Sequence, residues 1–468
     1  MKRPILWTVL FAFAAYSQRP LTHADYDGWR SITSQKLSRD GKLAAYALQP
    51  QDGDGEVVVR NLATGAEIRA PIGAKPTAAA RDTVDPTTET RVAPQGPALF
   101  FASDGRFVFV AGYPKKADVR NAKKEKKKQD AMPKNGMLIL DTATGAATTI
   151  TNVSNFQVPE DGTGWIAYQR PGAPPAAAAP TAPAARGRAA RRPEFGSEMV
   201  LRNTSDGSER KFASVIEYSL SKDAKTLLYA VSSKKEEENG VFSVEVAGAG
   251  EPKALVMGKG KYGKLAWDDK QTQAAFIAGS KLHLWARGSG ESAPQTGCDT
   301  AGLELSDKSA VTFSRNGAMV FFGCAPAAKK ASGEVDGEEK AVFDLWNYKD
   351  LNVQPMQKSS AERDRNRTFR AAWSMAAKKF VQLADASMAD AAPSEDGRWA
   401  IGTDDRAYRP LVEYDERYTD SYLVDAHTGE RKLLLKRTAA RPHCRPMDCT
   451  AFISTAAIGI RFQSQRVR

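Results

Sequence analysis

The feature that most restricts the fold of this chain is a two-part phrase that returns from Ser38 to Gly429. Its first part is a polar turn ending in Asp-Gly or a near equivalent, followed by a β-branched or aromatic run. It stands as Ser38-Arg39-Asp40-Gly41 before residues 43–46, Ser103-Asp104-Gly105 before 107–110, Glu160-Asp161-Gly162 before 165–168, and Ser221-Lys222-Asp223 before 227–231. It returns as Asp268-Asp269 before 274–278, Ser314-Arg315-Asn316-Gly317 before 319–322, and Ser394-Glu395-Asp396-Gly397 before 399–402. The second part is an apolar run that ends in a turn through Asp or Asn and then Gly. It is clearest at Asn61-Leu62-Ala63-Thr64-Gly65, Asp141-Thr142-Ala143-Thr144-Gly145 and Asp425-Ala426-His427-Thr428-Gly429, with weaker copies at Asp206-Gly207, Gly248, Gly288 and, after 343–348, Asp350. Glycine takes positive φ in such turns and the Asp side chain caps its own turn, so each phrase reverses the chain between antiparallel strands. Short runs at this spacing, with almost no 3.6-residue periodicity, predict an all-β fold. Units of about 40 to 50 residues suit the blades of a β-propeller, whose radial packing protects sheet edges. Seven phrase pairs predict about seven blades across residues 25–436. A sandwich of unrelated hairpins is the competing arrangement, and the constant order of the two phrases argues against it.

Three inserts interrupt the rhythm. Residues 115–136 are Lys-rich and predict a solvated loop or short helix within one unit; 171–193, with Ala-Pro runs, are expected to be disordered; 325–340 form a third loop. None marks a domain boundary, because blade phrases resume after each. The inserts also decide how the net charge of +12 is read. Residues 115–134 hold nine Lys or Arg against three acids, 171–192 hold four Arg, and the stretch from Arg437 onward holds six Arg and one Asp. With Lys2, Arg3 and Arg19 also set aside, the rest of the chain is acidic by six charges. Basicity confined to loops and termini argues against a nucleic-acid partner.

Both termini depart from the blade pattern. Lys2 and Arg3 precede an apolar run over residues 5–16, and Thr22-His23-Ala24 offers a cleavage point, which predicts a signal peptide over 1–24. The run is short of the roughly 20 residues that span a bilayer, so no membrane span and a periplasmic or secreted location are expected. From Arg437 the phrases stop. Reading the third base of each codon with the first two of the next, residues 443–449 can spell Leu-Ser-Pro-Asp-Gly-Leu, another blade phrase. A frameshift shortly before His443 is the expectation, making 437–468 a non-native tail.

The residues offer no catalytic, cofactor or metal site. No Ser has Gly at both minus two and plus two, the spacing that exposes the nucleophile of an α/β-hydrolase. The four histidines are His23, His283, His427 and His443. His283 lies in an apolar strand and reads as structural, and His427 falls in a turn. Cys298 and Cys324 flank one blade phrase; a disulfide and two buried thiols both remain open. Cys444 and Cys449 lie with His443 in the tail and are discounted as metal ligands. Asp404-Asp405 and Glu413-Tyr414-Asp415-Glu416 can either line a propeller mouth or form solvated turns, and the latter is favoured.

Longer strings carry a resemblance. Asp25-Tyr26-Asp27-Gly28-Trp29-Arg30, Asp52-Gly53-Asp54-Gly55-Glu56, the 123–128 insert with Met132-Pro133-Lys134-Asn135-Gly136, and Asp344-Leu345-Trp346-Asn347-Tyr348-Lys349-Asp350 with Gln354-Pro355-Met356-Gln357 resemble bacterial exported members of the prolyl oligopeptidase family of serine peptidases. The likeness covers about residues 25–436. It implies a propeller that caps a carboxy-terminal α/β-hydrolase and filters short peptides toward a Ser-His-Asp site. No catalytic residue of that family maps to a position here, so the expectation is a non-catalytic gating and substrate-binding propeller, truncated before the hydrolase domain. A free-standing TolB-type propeller that binds a periplasmic protein partner is the alternative.

Overall fold

The computed structural model describes residues 22, 26, 28–75, 96–128, 131–172, 195–248, 250–327, 347, 350, 352–412, 414–439, 442–444 and 451–453. They are almost entirely strands and turns; two α-helices, Lys116–Lys124 and Gln354–Arg365, sit in connections between strands. The chain divides into two compact units, Met1–Val153 and Ser154–Arg468, and the division falls at none of the long inserts.

The first unit holds two blades of a β-propeller. Blade 1 is the meander Arg30–Leu37, Leu43–Pro50, Gly55–Asn61 and Glu67–Gly73; blade 2 is Leu99–Phe101, Phe107–Gly112, Gly136–Asp141 and Ala147–Thr151. The second unit holds five more. Blades 3 and 4 share the strand Glu209–Leu220: its first half pairs with Ser197–Asn203 and its second half with Thr226–Val231. The backbone turns at the junction, where Ser214 takes φ +54°. Blade 5 spans 262–296, blade 6 spans 303–382 and blade 7 spans 390–438, followed by a hairpin of Pro442–Cys444 with Ala451–Ile453.

The two phrases take fixed places in the meander. The first joins strands one and two of a blade, and the second joins strands three and four. In four of the first turns a buried serine organises the reversal. Ser38 donates to Asp40 Oδ1 (2.7 Å) and accepts the Leu43 N–H (2.9 Å). Ser221, Ser314 and Ser394 repeat the arrangement with Asp223 and Thr226, Asn316 and Met319, and Asp396 and Trp399. In blade 5 buried Asp268 takes the serine's place and accepts the N–H groups of Thr272 and Gln273 at 2.8 and 2.9 Å. The hydroxyl or carboxylate satisfies backbone donors that the turn would otherwise leave unpaired in the interior.

These turns are also bonded to one another through the second unit. Asp161 and Gly162 donate N–H groups to Lys222 O, and the Lys222 N–H donates to Gln271 Oε1. Gln273 Nε2 donates to Gly317 O, the Arg315 N–H donates to Glu395 O (2.7 Å), and Asn316 Nδ2 donates to Asp396 O (3.0 Å). Blades 3 to 7 are thereby linked turn to turn.

The sequence copy around 343–350 lies, apart from Asn347 and Asp350, outside the described residues, and the third strand of blade 6 is formed elsewhere. That strand is Phe369–Ser374, which pairs with Met319–Pro326, so the connection runs from 327 to 368. Its closing turn lacks the glycine signal because Lys378 supplies the left-handed residue, at φ +47°.

Side-chain alternation explains the packing. In blade 5, Ala274 and Phe276 join the core shared with blade 4, whereas Ala275 and Ile277 join the core shared with blade 6. In blade 6, Val320 and Phe322 pack toward blade 5, and Met319 and Phe321 toward blade 7. Successive residues of a strand point to opposite faces, and both faces are buried, so these strands read as unbroken apolar runs. In the first unit, Ala45, Ala47, Val57 and Val59 pack against Val108, Val110, Leu138 and Leu140. The other face of blade 1 carries a ladder of ion pairs, Arg30–Glu56–Arg69–Glu67–Arg60. A disulfide between Cys298 and Cys324 (Cα–Cα 6.0 Å) ties the connection after blade 5 to the second strand of blade 6.

Candidate functional site

Within each blade the turns of both phrases lie at one end of the sheet, and the connection between strands two and three lies at the other. The second end carries the length variation: two residues, Gly279 and Ser280, suffice in blade 5, whereas blade 7 uses 405–418 and blade 6 uses 327–368 with the helix Gln354–Arg365. The Lys-rich insert of blade 2 forms the helix Lys116–Lys124 between strands Phe107–Gly112 and Gly136–Asp141. Its first residue is anchored on blade 1: the Lys116 N–H donates to Asp54 Oδ1 (2.8 Å) and its ammonium pairs with Asp52.

Three carboxylates of the acidic clusters of blade 7, those of Asp404, Asp405 and Asp415, have arginine partners, and Glu416 is exposed. Asp404 accepts two bonds from Arg406 (2.9 and 2.8 Å), and Arg406 holds its carboxyl below the usual range. Asp405 pairs with Arg409 at 2.8 Å. Asp415 accepts the Tyr418 hydroxyl (3.3 Å) and lies 3.7 Å from Arg437, whose guanidinium also covers the Tyr418 ring. Nearby Asp420 accepts the Tyr408 hydroxyl at 2.7 Å. Carboxylates with such partners are poor receptors for a ligand amine, because binding must first displace an arginine. Glu413 lies outside the described residues.

His283 sits beside a serine, yet the pair is not a base and a nucleophile. The ring is buried and stacked on Phe276, with Nδ1 3.1 Å from Ser292 Oγ. The Ser292 hydroxyl donates to Leu255 O at 3.1 Å. Its one proton is thus committed to the carbonyl, so Nδ1–H of His283 must be the donor in the first contact. Burial, followed by the charge of Lys281, holds the imidazole below its usual pKa, and the ring on the third strand of blade 5 holds Ser292, whose hydroxyl and N–H both donate to Leu255 O on the outer strand of blade 4. His427 is exposed in its turn, where its N–H donates to Asp425 Oδ1 at 2.7 Å. His443 and Cys444 fall in the short hairpin, with nothing described of their side chains; His23 and Cys449 lie outside the described residues. Among the described residues no three His, Cys, Asp or Glu side chains gather as a metal site, and no helix is long and apolar enough to cross a membrane.

An open groove of ≈ 500 Å³ lies between the outer strands of blades 5 and 6. Lys281, Lys378 and Lys379 line it together with Gln295, Trp373 and Phe380. These positions are scattered over about a hundred residues of sequence, and nothing in the blade phrases marks them.

No protein-family model and no curated protein sequence matches the chain. Among solved structures it is similar to prolyl endopeptidases (12% identity, TM-score 0.38, covering 87% of this chain and 50% of that one). It is similar also to the β-propeller domain of the Trilobed protease from Pyrococcus furiosus (10% identity, TM-score 0.32, 87% and 99%). A third is the acylaminoacyl peptidase of Pyrococcus horikoshii (10% identity, TM-score 0.32, 88% and 55%). The chain spans about half the length of the two peptidase chains.

Proposed function

We propose that this chain is the propeller part of an exported prolyl oligopeptidase-like serine peptidase, in which it admits and binds peptide substrates while the chemistry belongs to an α/β-hydrolase domain. The observation that carries the reading is the coincidence, over residues 25–436, of the family-like strings with seven consecutive blade meanders. No serine in the sequence has the flanking glycines of a nucleophile elbow, and the described histidine–serine pair is wired as a structural clasp. The Cys298–Cys324 pairing supports export, since disulfides persist in oxidising compartments.

The purified chain is expected to leave chromogenic dipeptide and acyl-amino-acid substrates uncut, and hydrolysis at a rate that scales with protein would overturn the reading. Sequencing the locus past the codon for Arg437 tests the continuation: a frame encoding Gly-x-Ser-x-Gly downstream supports it, and a genuine stop with no such frame removes it. A free-standing TolB-type propeller is the second reading, favoured by the same lack of a nucleophile; a stable complex with one periplasmic protein would select it.

A further inference from the structure

We propose that the groove between blades 5 and 6 binds an extended acidic peptide segment of a partner protein, a role separate from substrate gating.

Its walls are the strands Ala293–Thr296 and Lys379–Gln382, each the last strand of its sheet. A terminal strand leaves one row of backbone N–H and C=O groups without a strand partner, and an extended peptide is the ligand that matches such a row. The charge has one sign: Lys281, Lys378 and Lys379 face a single acid, Asp299, whose carboxylate already accepts the Thr296 hydroxyl (3.2 Å). Among the described residues none of the three lysines forms an ion pair, whereas Asp269, Asp364, Glu395, Asp405 and Asp415 elsewhere on blades 5 to 7 are each matched by a cation. The chain outside its inserts and termini is acidic, so this cationic strip is a local reversal. Lys378 also holds a left-handed backbone, φ +47°, where glycine or asparagine would be at less cost.

The floor supplies the apolar half of the contact. Trp373 is buried beneath the lysines, and Phe380, half-buried, leans on Phe322. Side chains of an extended chain alternate, so a segment with alternating acidic and apolar residues can direct carboxylates at the ammonium groups and aliphatic groups at the rings. The volume of ≈ 500 Å³ is that of a small-ligand site and suits a few residues, not a folded domain.

The test uses the full chain and fluorescence anisotropy of a fluorescein-labelled Glu-Leu-Glu-Leu-Glu-Leu peptide at low salt, with Lys-Leu-Lys-Leu-Lys-Leu as control. Saturable binding of the acidic peptide alone is expected. Lys281→Ala, Lys378→Ala and Lys379→Ala should each weaken it by about 1.5- to fivefold, the range for exposed charge pairs, and the triple variant by roughly tenfold or more. Unchanged urea midpoints show that these variants remain folded. Absence of saturable binding, or equal binding by the triple variant, overturns the proposal. Dextran sulfate that binds in a lysine-dependent way while the peptide does not would assign the groove to a polyanionic sugar and likewise overturn it.

Discussion

Gly397 offers a direct measure of how firmly neighbouring blades interlock. It stands at φ +74° in the first turn of blade 7, and a Cβ added there would meet Ser314 Cβ of blade 6 at 2.6 Å, with Ser314 Oγ at 3.1 Å and Met319 Cγ at 3.2 Å. Two other glycines of the same unit separate the contributions. Gly279 has φ +61° with nothing within 4 Å, so Gly279→Ala carries only the left-handed backbone penalty, about 1–2 kcal/mol. Gly317, at φ +72°, would place its Cβ 3.1 Å from the movable amide of Gln273, so Gly317→Ala should cost little more than Gly279→Ala. In Gly397→Ala the obstacle is a buried serine held by two hydrogen bonds, and overpacking adds about 1–3 kcal/mol, for a total of roughly 2–5 kcal/mol. Urea unfolding followed by tryptophan fluorescence, with equal slopes required of all variants, gives the three values. The order Gly279→Ala, then Gly317→Ala, then Gly397→Ala by increasing loss is expected. If Gly397→Ala costs no more than Gly279→Ala, blade 7 yields freely against blade 6 and the rigid interlock is wrong.

Reducing Cys298–Cys324, or replacing both with Ser, should lower stability by about 3–4 kcal/mol on the chain-entropy estimate for a separation of 26 residues, read as a fall in urea midpoint with reductant. His283 is depressed below its unfolded pKa, so the unfolded chain binds the extra proton and the clasp's contribution, complete above about pH 6.5, fades as pH falls; His283→Gln should flatten the midpoint between pH 7.5 and 5. Asp223 is pulled down to about 2, burial opposing the shift and Arg287 and Ser221 outweighing it, so its contribution is present above about pH 4 and lost as pH falls toward 2. Arg287→Gln should reduce that acid slope, and an unchanged slope would show that Arg287 is not what holds the carboxylate.

The blade phrases were legible because their chemistry is local. A left-handed turn needs glycine, and the strands beside it are buried on both faces, so glycine and apolar runs recur together. The reading failed where another residue accepted the strained backbone. Ala224 and Gln271 replace glycine at φ +56° and +58°, yet their turns were still readable from the Asp before them. At Lys378 no such cue exists, and the blade phrases place the third strand of blade 6 at 343–348 instead of 369–374. The shared strand Glu209–Leu220 was also hidden, because its bend is made by Ser214 without glycine or proline. The sequence does not decide the Cys298–Cys324 pairing, since pairing depends on how a connection folds back over blade 6, and it does not reveal the groove lysines, because Lys281 meets Lys378 and Lys379 only through the packing of two blades.

The same packing explains which groups remain available for a partner. At the phrase-turn end of blades 3 to 7, backbone and side-chain groups are engaged in bonds between successive turns, so a ligand there must compete with the contacts that hold the sheets in register. At the insert end of blade 7, Asp404 and Asp405 are held by Arg406 and Arg409 of the same loop, and Asp415 by Arg437 of the last strand. The buried histidine and its serine are closed on a backbone carbonyl. On the outer side of blades 5 and 6 the balance differs: both walls end in terminal strands, and three ammonium groups lack an anionic partner among the described residues. Partner binding there can gain contacts without first breaking any that stabilise the fold, which is why the peripheral groove is the place to seek a partner.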